Sequence, residues 1–190
     1  NFDSFFWMII GSKDLKFSVV RYGNVMGSRG SVIPLFLKKA KEGEIPITHP
    51  EMTRFNISLK EGVEMVSWVM ENSIGGELFV PKIPSYRITD LSKAIAPNIK
   101  TKIVGIRPGE KIHEEMITAS DSFSAIDVGN YYAILPPDGH LHSIYEKLNI
   151  KFEKIKRGFS YNSGDNDHFL SIEEIRNLIK DHVDPNFYPQ

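Results

Sequence analysis

With 190 residues, 41% of them hydrophobic, and 23 Lys and Arg set against 24 Asp and Glu, the chain can bury one real core. It is too evenly charged for a polyanion-binding face, and its Lys and Arg are scattered among nearly as many Asp and Glu rather than gathered in a basic patch, which argues against nucleic acid as a partner. The absence of cysteine removes disulfides, thiolate nucleophiles and cysteine-based zinc sites, and fits a reducing, cytoplasmic setting.

The chain opens at Asn1, and its first apolar run, Phe5-Phe6-Trp7-Met8-Ile9-Ile10, is far shorter than the roughly 20 residues a membrane span needs. Asp3 stands where a signal peptide would be basic. The run reads as an amphipathic or buried segment packing on a sheet, and no membrane is expected as a partner. Residues 16–22, with Phe17, Val19 and Val20, read as an interior strand of a parallel sheet. A polar, glycine-rich loop follows, Tyr22-Gly23-Asn24-Val25-Met26-Gly27-Ser28-Arg29-Gly30-Ser31. Such a loop suits a phosphate: Gly27 and Gly30 let backbone approach, Arg29 offers a forked cation, and the next helix has free N–H groups. A plain strand-to-helix turn explains the same residues.

Ser31 is placed to cap a helix running to Glu42, with Pro34 in its first turn and Gly43 to end it. Ser58-Leu59-Lys60-Glu61 is a capping box, and Leu59, Val63, Val66 and Met70 repeat at helical spacing as its apolar face. Residues 76–80 read as a strand, 89–96 as a helix, 102–106 as a strand before Pro108-Gly109, and 131–135 as a strand before Pro136-Pro137-Asp138-Gly139. Residues 147–156 are charged and irregular, and a second capping box, Ser171-Ile172-Glu173-Glu174, opens a final helix. The alternation predicts an α/β fold, the distal part of a Rossmann-like parallel sheet with a smaller substrate-binding lobe.

Two further segments, Glu51-Met52-Thr53-Arg54-Phe55-Asn56-Ile57 and Gly105-Ile106-Arg107-Pro108-Gly109-Glu110-Lys111, each bring an arginine to an element boundary. With the glycine loop, Gly76-Glu77-Leu78-Phe79-Val80-Pro81-Lys82-Ile83-Pro84-Ser85 and Ile88-Thr89-Asp90-Leu91, their order resembles the C-terminal half of the inverting UDP-N-acetylglucosamine 4,6-dehydratases. These are polysaccharide-biosynthesis proteins within the extended short-chain dehydrogenase/reductases, and the phrasing is nearer to them than to sugar epimerases at large. The resemblance covers residues 17–136. Residues 1–16 match poorly, and residues 137–190 are expected to form a C-terminal extension.

The resemblance implies a reaction in which NADP oxidises C4 of UDP-GlcNAc, water is eliminated across C5 and C6, and hydride returns to C6 with inversion at C5. It places Tyr22, Gly23 and Asn24 at the cofactor, and Asn24, Val25, Ser28 and Arg29 at sugar or cofactor. Thr48 falls by the nucleotide, Arg54 and Arg107 on the diphosphate, and Glu110 on ligand hydroxyls. Arginine suits a diphosphate because its planar fork meets phosphate oxygens bidentately. The family also implies a homo-oligomer.

Plainer roles compete. Arg54 can pair with Glu51 and Glu61, and Arg107 with Glu110 or Glu114. Glu110 can simply favour a helix N-terminus. His140 and His142 are expected on a solvent-facing loop with no metal, and Gly164-Asp165-Asn166-Asp167 as a turn rather than a calcium loop.

The sequence contains neither a Gly-x-x-Gly-x-x-Gly turn nor a Tyr-x-x-x-Lys pair; none of the 7 tyrosines has lysine four residues on. By resemblance these elements, with the catalytic Asp, Lys and Tyr, precede residue 17, so the chain reads as a C-terminal piece with no catalytic residue of its own, inactive alone. Three functions remain open: part of an active dehydratase, a noncatalytic nucleotide-sugar-binding remnant, or an interaction module. An unpaired edge on the strand at 16–22 would favour self-association.

Overall fold

The computed structural model describes residues 15–190, and the apolar run at 5–10 lies outside them. The chain forms two compact units, each gathered from separated stretches. The first takes residues up to Tyr22, Val63–Lys82 and Met116–Ser160; the second takes Gly23–Gly62, Ile83–Glu115 and Tyr161–Gln190.

The first unit is a five-stranded sheet in the order Val19–Val20, Leu78–Pro81, Tyr131–Ile134, Ala125–Asp127, Glu153–Lys154. Val19 and Val20 pair parallel with Leu78 and Phe79, as the apolar run at 16–22 predicts, and the remaining pairs are antiparallel. Among the described residues Val19–Val20 is the end strand of this sheet, and its valines are only half-buried. Leu78–Pro81 is buried at every position, the unalternating pattern of a strand covered on both faces.

The capping box at Ser58 forms as expected: Ser58 N–H and Oγ both donate to Glu61 Oε2 at 2.7 Å, and Glu61 N–H returns to Ser58 Oγ. The helix it opens, Leu59–Asn72, overturns the expected apolar face. Leu59, Val63, Val66 and Met70 are 69%, 57%, 39% and 78% exposed, whereas Met65 and Val69 are buried. Trp68 packs edge-on to Phe79 with ring centroids 5.5 Å apart and tilts over Tyr131 at 4.6 Å. The helix carries two apolar stripes, and the sheet takes the one bearing the indole, which offers the larger area to bury. A second correction falls at His140–Lys147, a helix where a loop was expected. Leu141 and Tyr145 bury its inner face, and His142 lies edge-on to Phe152 at 4.9 Å.

The second unit carries a three-stranded sheet in the order Asn24–Val25, Thr53–Ile57, Ser85–Arg87 and a parallel pair, Glu44–Ile47 with Lys100–Ile103. The strand expected at 102–106 starts earlier because its register is set by that partner: Glu44 opposes Lys100 and Ile47 opposes Ile103. Helices Val32–Lys41, Ile88–Ile95 and Ile172–His182 enclose a core that includes Phe36, Ile45, Leu91, Ile95, Ile175 and Ile179. The second capping box is complete, with Ser171 N–H and Oγ both donating to Glu174. Ser31 does occupy the N-cap position of Val32–Lys41 but makes no side-chain cap bond, and Gly43 ends the helix region in a left-handed conformation, φ +88. The acidic stretch at 164–167 is a turn whose Asn166 Nδ2 donates to Ile83 O and Ser85 Oγ, both at 2.9 Å.

Candidate functional site

Within the second unit, a cleft of about 260 Å³ is lined by polar groups from several elements and floored by Leu35, Phe36, Met52 and Val104. Asn24 enters from its short strand, fixed by pairing with Asn56. The preceding Gly23 has to be glycine: a Cβ there would sit 2.6 Å from Phe55 Cβ. Thr48 follows the strand Glu44–Ile47, and Arg54 points in from Thr53–Ile57. Arg107 and Glu110 come from one turn, in which Glu110 N–H donates to Arg107 O at 3.0 Å and Gly109 takes a φ of +82.

Asn24, Thr48, Arg54, Arg107 and Glu110 thus line one cleft. Val25, Ser28 and Arg29 are not among its lining residues; Ser28 N–H turns back to Val25 O, and Ser28 and Arg29 are exposed. Tyr22 belongs to the first unit and is 40% exposed. Ser31, which the sequence marked only as a cap, does line the cleft, and its Oγ is buried with no hydrogen-bond partner among the described residues.

The two arginines differ. Arg54 is largely committed: Nη1 donates to Thr53 O at 2.7 Å and Ile112 O at 3.0 Å, and Nη2 lies 3.1 Å from Met52 Sδ. Its acidic neighbours are Glu110 at 3.9 Å and Glu114 at 3.8 Å, not the Glu51 and Glu61 that sequence proximity suggested. Arg107 is exposed, and its guanidinium makes no hydrogen bond or ion pair among the described residues. Of the two arginines that line the cleft, it is the one whose guanidinium has no partner among the described residues.

Glu114 entered the sequence reading only as a neighbour for Arg107, yet it is the hub behind the cleft. Its Oε1 accepts from Asn24 Nδ2 and its Oε2 from Phe55 N–H, both at 2.8 Å. Burial raises its carboxyl above the ordinary 4.5, opposed by the Phe55 N–H, Arg54 and Asn24. Burial likewise pushes the enclosed Tyr86 hydroxyl far above its ordinary value, with the Glu114 charge adding to it and Arg54 opposing. Nothing in local spacing announces such a residue, because its partners lie far off in sequence. Among the described residues no cluster of His, Asp and Glu could hold a metal, and no helix is long and apolar enough to cross a membrane.

Residues 7–136 match the family described as polysaccharide biosynthesis protein, reaching back from the Phe17 where the sequence resemblance begins. The chain is 49% identical over 177 residues to the inverting UDP-N-acetylglucosamine 4,6-dehydratase of Campylobacter jejuni serotype O:23/36, covering 90% of this chain and 53% of that protein. It is 40% identical over 166 residues to a UDP-glucose 4-epimerase of Rickettsia canadensis, covering 85% and 48%. The X-ray structure of Pen from Bacillus thuringiensis superposes with a TM-score of 0.73 at 37% identity, over 90% of this chain and 52% of that one. The chain therefore spans about half the length of the curated relatives it matches.

Proposed function

The chain belongs to the polysaccharide biosynthesis protein family, and from that premise we propose that its cleft holds the diphosphate end of a UDP-sugar. The observation that carries this reading is the pair of arginines in one cleft, Arg54 locked and Arg107 uncommitted. A cleft of about 260 Å³ is small beside the roughly 300–1,000 Å³ of ligand pockets, so it holds part of a nucleotide sugar. Arg107 meets phosphate oxygens with its full donor fork, Arg54 adds charge from the wall, and the orphan Ser31 Oγ supplies one more donor. Thr48 and Asn24 border the nucleotide and sugar, and Glu110 accepts from hydroxyls.

In the whole protein the activity we propose is 4,6-dehydration of UDP-GlcNAc in surface glycan biosynthesis, in the cytoplasm and as a homo-oligomer. Tyr22 and Gly23 would help hold the NADP of the whole protein, which would supply the oxidation at C4 that makes the C5 proton acidic. This chain's own residues contribute positioning: fixing the diphosphate places the hexose so that C4, C5 and C6 stay in one geometry throughout. The sequence carries no Tyr-x-x-x-Lys pair, so this chain alone should release no 4-keto-6-deoxy product.

UDP is common to the names of both relatives, which makes it the probe. Calorimetric titration of the 190-residue chain should show UDP binding that Arg107→Ala weakens by about 1.5–3 kcal/mol, the scale of a charged hydrogen bond. No heat with the wild type, or unchanged affinity in the variant, would overturn the reading.

A further inference from the structure

An asparagine amide offers two donor hydrogens at one end and a carbonyl acceptor at the other, and shape alone does not decide which end faces a ligand. At Asn24 the choice is made by a neighbour. We propose that Glu114 is a positioning residue for the cleft: it holds Asn24 by Nδ2 and leaves Asn24 Oδ1 to face the ligand, so that Asn24 reads a hydrogen-bond donor such as a sugar hydroxyl. The inference rests on the UDP-sugar reading above and names how that site selects its ligand.

A carboxylate accepts only, so the amide nitrogen has to turn toward it, and the 2.8 Å contact from Nδ2 to Oε1 is that arrangement. Glu114 is far better anchored than Asn24. Its Oε2 is pinned by the Phe55 N–H of a central strand, its own N–H donates to Ser163 Oγ at 2.8 Å, and its carbonyl accepts from Ser163 N–H at 2.8 Å. Ser163 Oγ is tied in turn to Thr53 Oγ1 at 2.7 Å, which lies 2.8 Å from His113 Nδ1. Asn24 sits on a strand of 2 residues, and its side chain has no other hydrogen bond among the described residues. Control therefore runs from Glu114 to Asn24. Four charged or titratable groups face this pair: Arg54 at 3.8 Å, Glu110 on the same guanidinium, Tyr86, and His113 through Thr53 and Ser163. Arg54 is beyond hydrogen-bond reach and acts on Glu114 by charge alone.

Protonating Glu114, or replacing it with glutamine, puts a donor where Asn24 expects an acceptor and frees the amide to flip. The first measurement needs no ligand. In the isotope-labelled chain, the Asn24 side-chain NH₂ resonances should shift with pH at the midpoint of the Glu114 carboxyl carbon, and the shift should vanish in Glu114→Gln. The second measurement is UDP-GlcNAc affinity: Glu114→Gln should bind about tenfold more weakly, the worth of one hydrogen bond, and should cost nothing further in an Asn24→Ala background. Asn24 resonances that ignore Glu114 or follow the His113 ring would overturn the proposal, as would losses in the two variants that multiply. Should Glu114→Gln not fold, the wild-type titration decides alone. If the wild type binds no UDP-GlcNAc while Asn24 still follows Glu114, the UDP-sugar reading fails and the positioning stands.

Discussion

In the first unit the buried Glu77 carboxylate accepts from Ser18 Oγ, Ile74 N–H and Gly75 N–H at 2.8 Å and from the Tyr145 hydroxyl at 3.2 Å, with no ion pair among the described residues. In the second, Glu114 accepts from Phe55 N–H and Asn24 Nδ2 and stands 3.8 Å from a guanidinium. A carboxylate saturated by fixed donors stitches a turn to a helix and has nothing left to aim. One that is partly satisfied, beside a cation and an exposed amide, sets the orientation of groups that meet a ligand. The buried acid alone does not mark a site; what it leaves unsatisfied does.

The largest effect should come from breaking the saturated case. Glu77→Ala strands the part-buried N–H groups of the turn and the buried Tyr145 hydroxyl, and urea unfolding should show a loss of about 2–4 kcal/mol, with little change in UDP affinity. A loss below about 1 kcal/mol would erase the contrast. The helix Leu59–Asn72 sharpens it next: Met65→Ala should cost about 2–4 kcal/mol, while Met70→Ala should stay within about 0.5 kcal/mol by the same measurement.

In the second unit, Arg54→Ala should lower both stability and UDP binding, because Thr53 O and Ile112 O lose their donor, by about 1–3 kcal/mol in unfolding. Arg107→Ala should weaken binding and leave the thermal midpoint unchanged. Equal stability losses in the two variants would show that Arg107 has structural partners after all. The smallest effect is one of pH. Because burial raises Glu114 above 4.5, the folded chain keeps that proton to higher pH than the unfolded one, so this group's contribution is greatest below 4.5 and declines as pH climbs through the raised value. Glu174 slopes the other way. The Ser171 backbone and side-chain bonds lower it, so its contribution is present above 4.5 and is lost as pH falls through the lowered value. Wild-type stability relative to Glu114→Gln should therefore fall as pH rises above 4.5, and a flat or rising difference in urea midpoints would sink the assignment.

What could be read from the sequence was local. Both capping boxes are contained within four residues, and both form with the reciprocal bonds their spacing announces. The motif arginines were legible as residue types suited to an anion, but not their different states, because Thr53 O and Ile112 O are backbone groups that no spacing rule brings to Arg54. The stripe at Leu59 failed for a related reason: periodicity locates apolar faces, while the choice between two of them belongs to the sheet around Phe79 and Tyr131. His140–Lys147 was missed because a polar run after Pro-Pro-Asp-Gly gives little helical signal, and Leu141 and Tyr145 make the helix through burial. Glu114 was legible least of all, since its bonds to Asn24 and Phe55 span 90 and 59 residues.

The last thirty residues of the chain fold into the second unit rather than trailing from it. The Tyr161 ring lies 4.8 Å from that of Phe55, its hydroxyl bridges Ile83 N–H and Ile83 O, and Ser163 closes the bonds that hold Glu114. Behind them Arg176 donates to Ala94 O from the helix that encloses the core. For the DNA that encodes this stretch, a nonsense or frameshift change ahead of residue 161 therefore carries the same penalty as one inside the family motifs. A stop codon just past residue 136 would preserve every motif by which the family is matched and still remove the supports of the cleft. A screen for lost ligand binding should therefore recover truncations throughout codons 161–182 as readily as missense changes at the arginines.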